Sequence, residues 1–266
     1  MAVELTRRGL VDHRRALVGW CLGVIAYAAL VASIFPSIKG SADFTKLVEH
    51  YPDALKSLFG ISGGNITSGA GFLDAELFSF MLPLLVLVLA IGSGARSFAG
   101  EEEAGRLELV LSYPLRRRDA VLAKAAVVAG EVLLVCVVGF GALAVLSNLV
   151  DLDLDLGKLA AAFGALAALG LLYGWLSLAL GAALPNRLLA IGVPAAYAAA
   201  AYLVGGLHEL AGWLDPLRFL SPFWLIGSAP LQNGVDGWGV VVVVAAAFVA
   251  LAAGALLVDR RDIETP

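Results

Sequence analysis

Long stretches with almost no charge recur along this chain, and they constrain its fold more than any other feature. Six of them, roughly 16–35, 76–97, 119–149, 159–183, 188–206 and 237–258, each offer about 20 or more mostly apolar residues, enough to cross about 30 Å of hydrocarbon at 1.5 Å per residue. A soluble domain is about 45–50% apolar and about 25% charged. Here the 266 residues are 60% hydrophobic and only 15% charged, with a mean hydropathy of +0.89. Lipid is the solvent that can accept such a surface. Backbone groups in lipid must be bonded within the segment, which makes the stretches helices. The alternating segments of about ten residues that a β-barrel needs are not found. The expected fold is all-α and polytopic, with six transmembrane helices in one membrane domain covering 1–266.

Orientation follows from the basic residues. Of the 18 Lys and Arg, only Lys39, Lys46, Lys56, Lys158 and Arg218 fall in the segments that share a side with residues 36–75. The other 13 lie with the N-terminus, from the end of the second span to the start of the third, between spans four and five (Arg187), or with the C-terminus. Both termini are therefore expected in the cytoplasm. Trp20 then sits near the inner interface, and Trp213, Trp224 and Trp238 near the outer one. No small-residue cleavage site follows the basic start, so the first span is expected to remain as an anchor. Residues 3–15 combine basic residues with Val3, Leu5, Leu10 and Val11, the pattern of an amphipathic helix lying on the inner membrane surface.

The connections are unequal. Tyr51 to Gly60 reads as a short outer helix with Pro52 at its start. Residues 61–71 are Gly- and Ser-rich and expected to be irregular. Residues 150–158 form a short acidic turn whose Asp151, Asp153 and Asp155 read as a solvated loop or a loose cation site. Residues 207–236, broken by Pro216, Pro222 and Pro230, are too interrupted to span twice and predict one or two re-entrant or interfacial helices. The net charge of −4 and the absence of a basic stripe argue against a nucleic-acid partner. Cys21 and Cys136 stand in apolar segments with no CxxC and no neighbouring His, as small buried hydrophobes do.

The loop between spans two and three is the most informative stretch. Gly100 is expected to break the membrane helix. Glu101, Glu102 and Glu103 then fill the first turn of a new helix, where the macrodipole favours negative charge. Glu102 and Arg106 stand four apart and can pair. Leu107, Val110 and Leu111 form an apolar face, Pro114 stops the helix, and Arg116, Arg117 and Arg118 follow at the next membrane entry. The result is a short amphipathic cytoplasmic helix, suited to being held by a soluble partner or lying as a solvated loop.

These residues resemble the signature of ABC-2-type permeases, the transmembrane subunits of ABC exporters. The matching pieces are Glu101 to Glu103, then Gly105, Glu108, Leu109, Leu111, Ser112, Pro114 and Arg116 to Arg118. Similar pieces stand at Pro52 to Leu55, Leu58 to Gly60, Gly71 to Leu73, Gly92 with Gly94, and Leu220 to Phe223. Arg106 departs from the pattern, where a small or hydroxyl residue is more usual. The resemblance implies a six-helix permease of the cell membrane that pairs with a second permease copy. It also implies that Glu101, Glu102, Glu103, Gly105, Arg106, Leu107, Glu108 and Leu111 form a helix that couples the spans to a separate ABC ATPase subunit. ATP and Mg²⁺ would then belong to that partner. The chain has no GxxxxGK[ST] of its own, and Gly92 to Gly100 is Gly-rich but contains no Lys. Small apolar spans favour a lipophilic or amphipathic cargo such as a drug or lipid.

Two other classes compete. Glu101, Glu102 and Arg106 fit EExxxR, a motif of intramembrane metalloproteases, which need further ligands on other helices. The only histidines are His13, His50 and His208, and none completes such a set. A secondary transporter would show paired interrupted helices in two halves, and these are not evident. Glu131 is the one acid well inside a span. It is expected to face the bundle, as a polar group on the substrate path or as a structural hydrogen-bonding group. Gly170, Gly174 and Gly181 share one face of span four and predict close helix packing. Pro194 is placed to kink span five.

Overall fold

A computed structural model of the chain describes residues 13–39, 41, 46, 48, 50–59, 61, 66–100, 103, 117–184 and 186–258. Among them every regular element is a helix. In chain order these are α1 (Arg14–Ile38), α2 (Asp53–Leu58), α3 (Gly69–Gly100), α4 (Arg117–Leu149), α5 (Leu156–Ala183) and α6 (Arg187–Leu207). After α6 come a 3₁₀ turn at Asp215–Leu220, α7 (Pro222–Ile226), α8 (Pro230–Asn233) and α9 (Gly237–Leu257). The six long helices, α1, α3, α4, α5, α6 and α9, are long and apolar enough to cross a bilayer. They alternate in direction. The end at which α1 begins is termed proximal below, and the opposite end distal.

Three boundaries differ from the sequence reading. The second span begins at Gly69, not at about residue 76, because the Gly-rich run closes into helix: Ser68 caps it by accepting from the Gly71 N–H at 3.1 Å. Residues 69–71 are thus helical, where an irregular loop is expected from their composition. Helix α3 is also not uniform. It winds as π-helix at Asp74–Phe78 and again at Arg96–Gly100, so it runs on to Gly100 with a widened last turn. Finally, Arg14 and Arg15 belong to α1 itself. Residues 3–12 of the expected interfacial helix lie outside the described residues.

Polar side chains start the other spans. Asp155 accepts from the Gly157 and Lys158 N–H groups at 2.7 and 3.2 Å, Asn186 from Leu189 at 3.1 Å, and Asp236 from Trp238 at 3.0 Å. Each satisfies helix-end donors that lipid could not. One member of the acidic turn at 150–158 is therefore a helix cap. Between α4 and α5, Asp151 and Asp153 take positive φ angles of 50° and 51°, which turns Leu152 inward to 1% exposure.

Helix α5 is the axis of the bundle, packed against α3, α9, α4 and α6. Its glycines explain how. A Cβ on Gly94 of α3 would stand 2.3 Å from the Gly174 carbonyl oxygen, so the two backbones touch. A Cβ on Gly170 would meet Val132 and Val86 at 2.7 and 2.8 Å, and one on Gly174 would meet Val128 at 2.8 Å. Without a hydrophobic drive between helices in lipid, such close backbone contact supplies much of the packing energy. Two buried layers share α5. The distal one includes Phe35, Leu73, Leu77, Leu82, Leu143 and Phe163, and the proximal one Val121, Val128, Tyr173, Leu178, Val243 and Ala247. Ser177 ties three helices at once: its Oγ donates to the Ile91 carbonyl at 2.9 Å and the Ala190 carbonyl at 2.7 Å.

Candidate functional site

Three places in the bundle carry polar chemistry: the proximal rim, a buried pair between α1 and α4, and a distal cavity.

At the proximal rim the ends of α3 and α4 bracket residues 101–116. Lys124 of α4 donates to the Ser97 carbonyl and lies 4.8 Å over the Phe98 ring. Arg117 donates to the Val258 carbonyl at 3.4 Å, which joins the start of α4 to the end of α9. Arg187, at the start of α6, stands 3.9 Å from the Glu103 carboxylate. That pair is half exposed and contributes little to stability, but it sets Glu103 beside α6. Trp175 Nε1 donates to the Ala125 carbonyl at 3.1 Å, fixing α5 to α4 just above this rim. Of the residues assigned to the coupling helix, Glu103 is therefore found exposed on the proximal face. Glu101, Glu102, Gly105, Arg106, Leu107, Glu108 and Leu111 lie outside the described residues.

Glu131 is 1% exposed, and His13 Nδ1 donates to its Oε1 at 2.7 Å. Its other oxygen, Oε2, has no partner among the described residues. A carboxylate in this position is costly, and a single hydrogen bond to a partly exposed imidazole offsets only part of the cost. The pair locks the start of α1 to the middle of α4. The sequence points to Glu131, since a lone acid in an apolar run stands out. It gives no sign that His13 is the partner.

Asp74 escapes the sequence reading altogether. It is 1% exposed in the first π turn of α3 and accepts from the Leu231 and Gln232 N–H groups at 3.0 and 2.9 Å. These are orphan donors at the start of α8, so one buried carboxylate holds the segment of α8 to the second span. Lys158 donates to the Gln232 carbonyl at 2.6 Å and completes the tie. The available signal was an acid between Leu73 and Ala75, the same signal that marks Glu131.

Residues 207–236, expected to form one or two re-entrant or interfacial helices, fold as the 3₁₀ turn and two short helices, α7 and α8. They roof a cavity of about 370 Å³ between α3, α5 and α6 at the distal face. Ser221 holds the roof by donating to the Ala201 carbonyl at 2.7 Å. Helix α2 closes one side: Tyr202 donates to the Leu58 carbonyl at 2.9 Å and Ser57 to the Gly206 carbonyl. The cavity is lined by Phe78, Tyr202, Phe223 and Trp224, with His208, Glu209 and Asp236. Tyr202 and Phe223 meet edge to face at 5.6 Å, and Phe223 approaches Tyr173 at 6.2 Å. Glu131 is not among the lining residues. His208 ends α6 at this distal face, far from Glu103, so no protease-like set joins them. Among the described residues no group of three or more His, Cys, Asp and Glu is placed to hold a metal.

The described residues thus form a bundle of six membrane-length helices with a bracketed proximal segment and a roofed distal cavity. Over residues 10–258 the sequence matches the family described as "Multidrug efflux system permease Rv1217c, C-terminal domain". The chain belongs to this family. The permease is also similar to the probable ABC transporter permease protein NosY of Stutzerimonas stutzeri, at 36% identity over 105 residues, 40% of this chain and 37% of the relative. The NosY protein of Pseudomonas aeruginosa is 37% identical over 112 residues, 42% of this chain and 39% of the relative. The permease thus spans under two-fifths of the length of these curated relatives. Family and fold together make it an ABC-type, multi-pass membrane permease.

Proposed function

We propose that the permease forms the substrate path of an ATP-binding-cassette exporter and takes its energy from a separate ATPase subunit. The observation that supports this best is the bracketing of residues 101–116. The segment is flanked by α3 and α4, and through Lys124, Arg117 and Arg187 its surroundings connect to α3, α9 and α6. A push on this segment would therefore reach most of the bundle. In this reading Glu101, Glu102, Glu103, Gly105, Arg106, Leu107, Glu108 and Leu111 form the coupling helix, and ATP with Mg²⁺ binds to the partner. The proximal face is cytoplasmic, both termini included, and the bundle sits in the cell membrane. A second permease copy completes the path. The cargo is lipophilic or amphipathic, in keeping with apolar spans that carry few ionic groups.

Co-expression with the cognate ATPase tests the proposal. The triple variant Glu101→Lys, Glu102→Lys and Glu108→Lys should lose the co-purifying ATPase while the permease itself still migrates as a folded species. Full retention of a bound, coupled ATPase would defeat the coupling role. Glu131 enters as a buried polar point of the path, engaged when α1 and α4 separate. Glu131→Ala should then reduce transport at normal assembly. Unchanged transport in both Glu131→Gln and Glu131→Ala would remove it from the mechanism.

A further inference from the structure

We infer that the distal cavity is a binding site for an organic cation with an apolar, aromatic-sized body. The cavity, about 370 Å³, falls in the range of small-molecule sites. Its lining includes two carboxylates, Glu209 and Asp236, and contains no Lys or Arg. Both acids are exposed at its rim, and Asp236 uses one oxygen to cap α9. The neighbouring cations are engaged elsewhere. Lys56 pairs with Asp53 at 3.8 Å, Lys158 is bound to the Gln232 carbonyl within electrostatic reach of the Asp74 carboxyl, and Arg218 pairs with Asp215 at 2.8 Å. The rim is therefore a site of net negative charge.

The interior supplies the second half of the match. Tyr202, Phe223 and Trp224 offer π surfaces in a partly desolvated space, where attraction for a cation is strongest. The ring cluster already takes a cation from outside the cavity lining: the Arg218 guanidinium stands 5.0 Å from Trp224 and 5.0 Å from Phe219. His208 Nδ1 donates to the Gly205 carbonyl at 3.0 Å, so a neutral ring turns its other nitrogen away from that bond as an acceptor. An anion would meet two carboxylates and a ring-lined floor, with no cationic side chain to receive it. The inference rests on the export reading only for the direction in which the cation would leave, because binding itself needs no ATPase.

Equilibrium binding to the purified permease in lipid nanodiscs, corrected for empty nanodiscs, is the test. The probes are tetraphenylphosphonium, tetraphenylborate of the same shape and opposite charge, and neutral triphenylphosphine oxide. Tetraphenylphosphonium should bind saturably and about tenfold more tightly than tetraphenylborate. The double variant Glu209→Gln with Asp236→Asn, which keeps a capping oxygen at 236, should weaken the phosphonium about tenfold and leave the neutral probe within about twofold. Phe223→Leu should weaken the phosphonium about fivefold. Equal affinity for the two ions, or an unchanged phosphonium affinity in the folded double variant, overturns the inference. Loss of ATPase co-purification in the coupling-helix variant, with phosphonium binding intact, would instead strike only the export reading.

Discussion

Helices α5 and α6 have the same mean hydropathy, yet 72% of the apolar stretch of α5 is buried against 22% of that of α6. Hydropathy decides that a segment enters the membrane and is silent about where it sits in the bundle, because lipid is as apolar as a neighbouring helix. The difference lies in how small and hydroxyl residues are used. In α5 the glycines at 170 and 174 and the hydroxyl of Ser177 all meet neighbours. In α6 a Cβ on Gly192 would meet nothing within 4 Å, and Leu188 and Val193 point outward. The middle of α5 spends its small residues on contact, whereas α6 meets neighbours closely only at its distal end, through Gly205 and Gly206, and leaves the surface around Gly192 open to lipid or to a second copy.

Substitutions in the two helices should therefore diverge. The largest effect belongs to the axis. Gly174→Leu should cost more than about 3 kcal/mol, since its side chain would strike Val128 and the Ala90 backbone. The expected outcome is loss of the monodisperse peak in size-exclusion chromatography, whereas Gly192→Leu keeps it. If both variants run alike, the axial role of α5 fails. Next comes the tie from α3 to the distal roof. Asp74→Ala leaves two N–H groups of α8 unpaired and should cost about 2–3 kcal/mol, read as a fall in Tm, with Asp74→Asn restoring part of it. A fall as large in Asp74→Asn as in Asp74→Ala would show that charge, not acceptance, matters there. Ser177→Ala removes a single donor shared by two carbonyls, and about 1 kcal/mol is expected. The smallest effect should come from Gly192→Ala, within about 0.5 kcal/mol of the parent, because that face has room and the helix gains propensity.

The same contrast explains what could be read in advance. Six spans, their all-α class and their approximate ends follow from apolar length, which a single chain displays directly. Family membership was legible from the Glu-rich element and its flanking Gly, Pro and Arg. The bundle order was not, because it depends on which Val faces which Gly across sequence separations that periodicity cannot register. Glu131 was legible as an isolated acid, while its tie to His13 required knowing that α1 starts level with the middle of α4. Asp74 falls outside the expected second span, because the Gly-rich run before residue 76 reads as loop although the helix begins seven residues earlier, at Gly69. The distal cavity could not be foreseen at all, since its rings come from three separate segments that meet only when α7 folds back over α6.

The contact between His13 and Glu131 divides α4 into two arms, about 21 Å from Arg117 to Glu131 and about 27 Å from Glu131 to Leu149. A stiff rod pinned near its centre behaves as a seesaw. A rocking of about 5° around that pin carries the Arg117 end by about 2 Å and the Leu149 end slightly further in the opposite sense, by the rise of the helix alone. The placement of one buried acid thus gives α4 two arms of comparable length, so that a rocking about it would move the two faces of the permease by similar amounts.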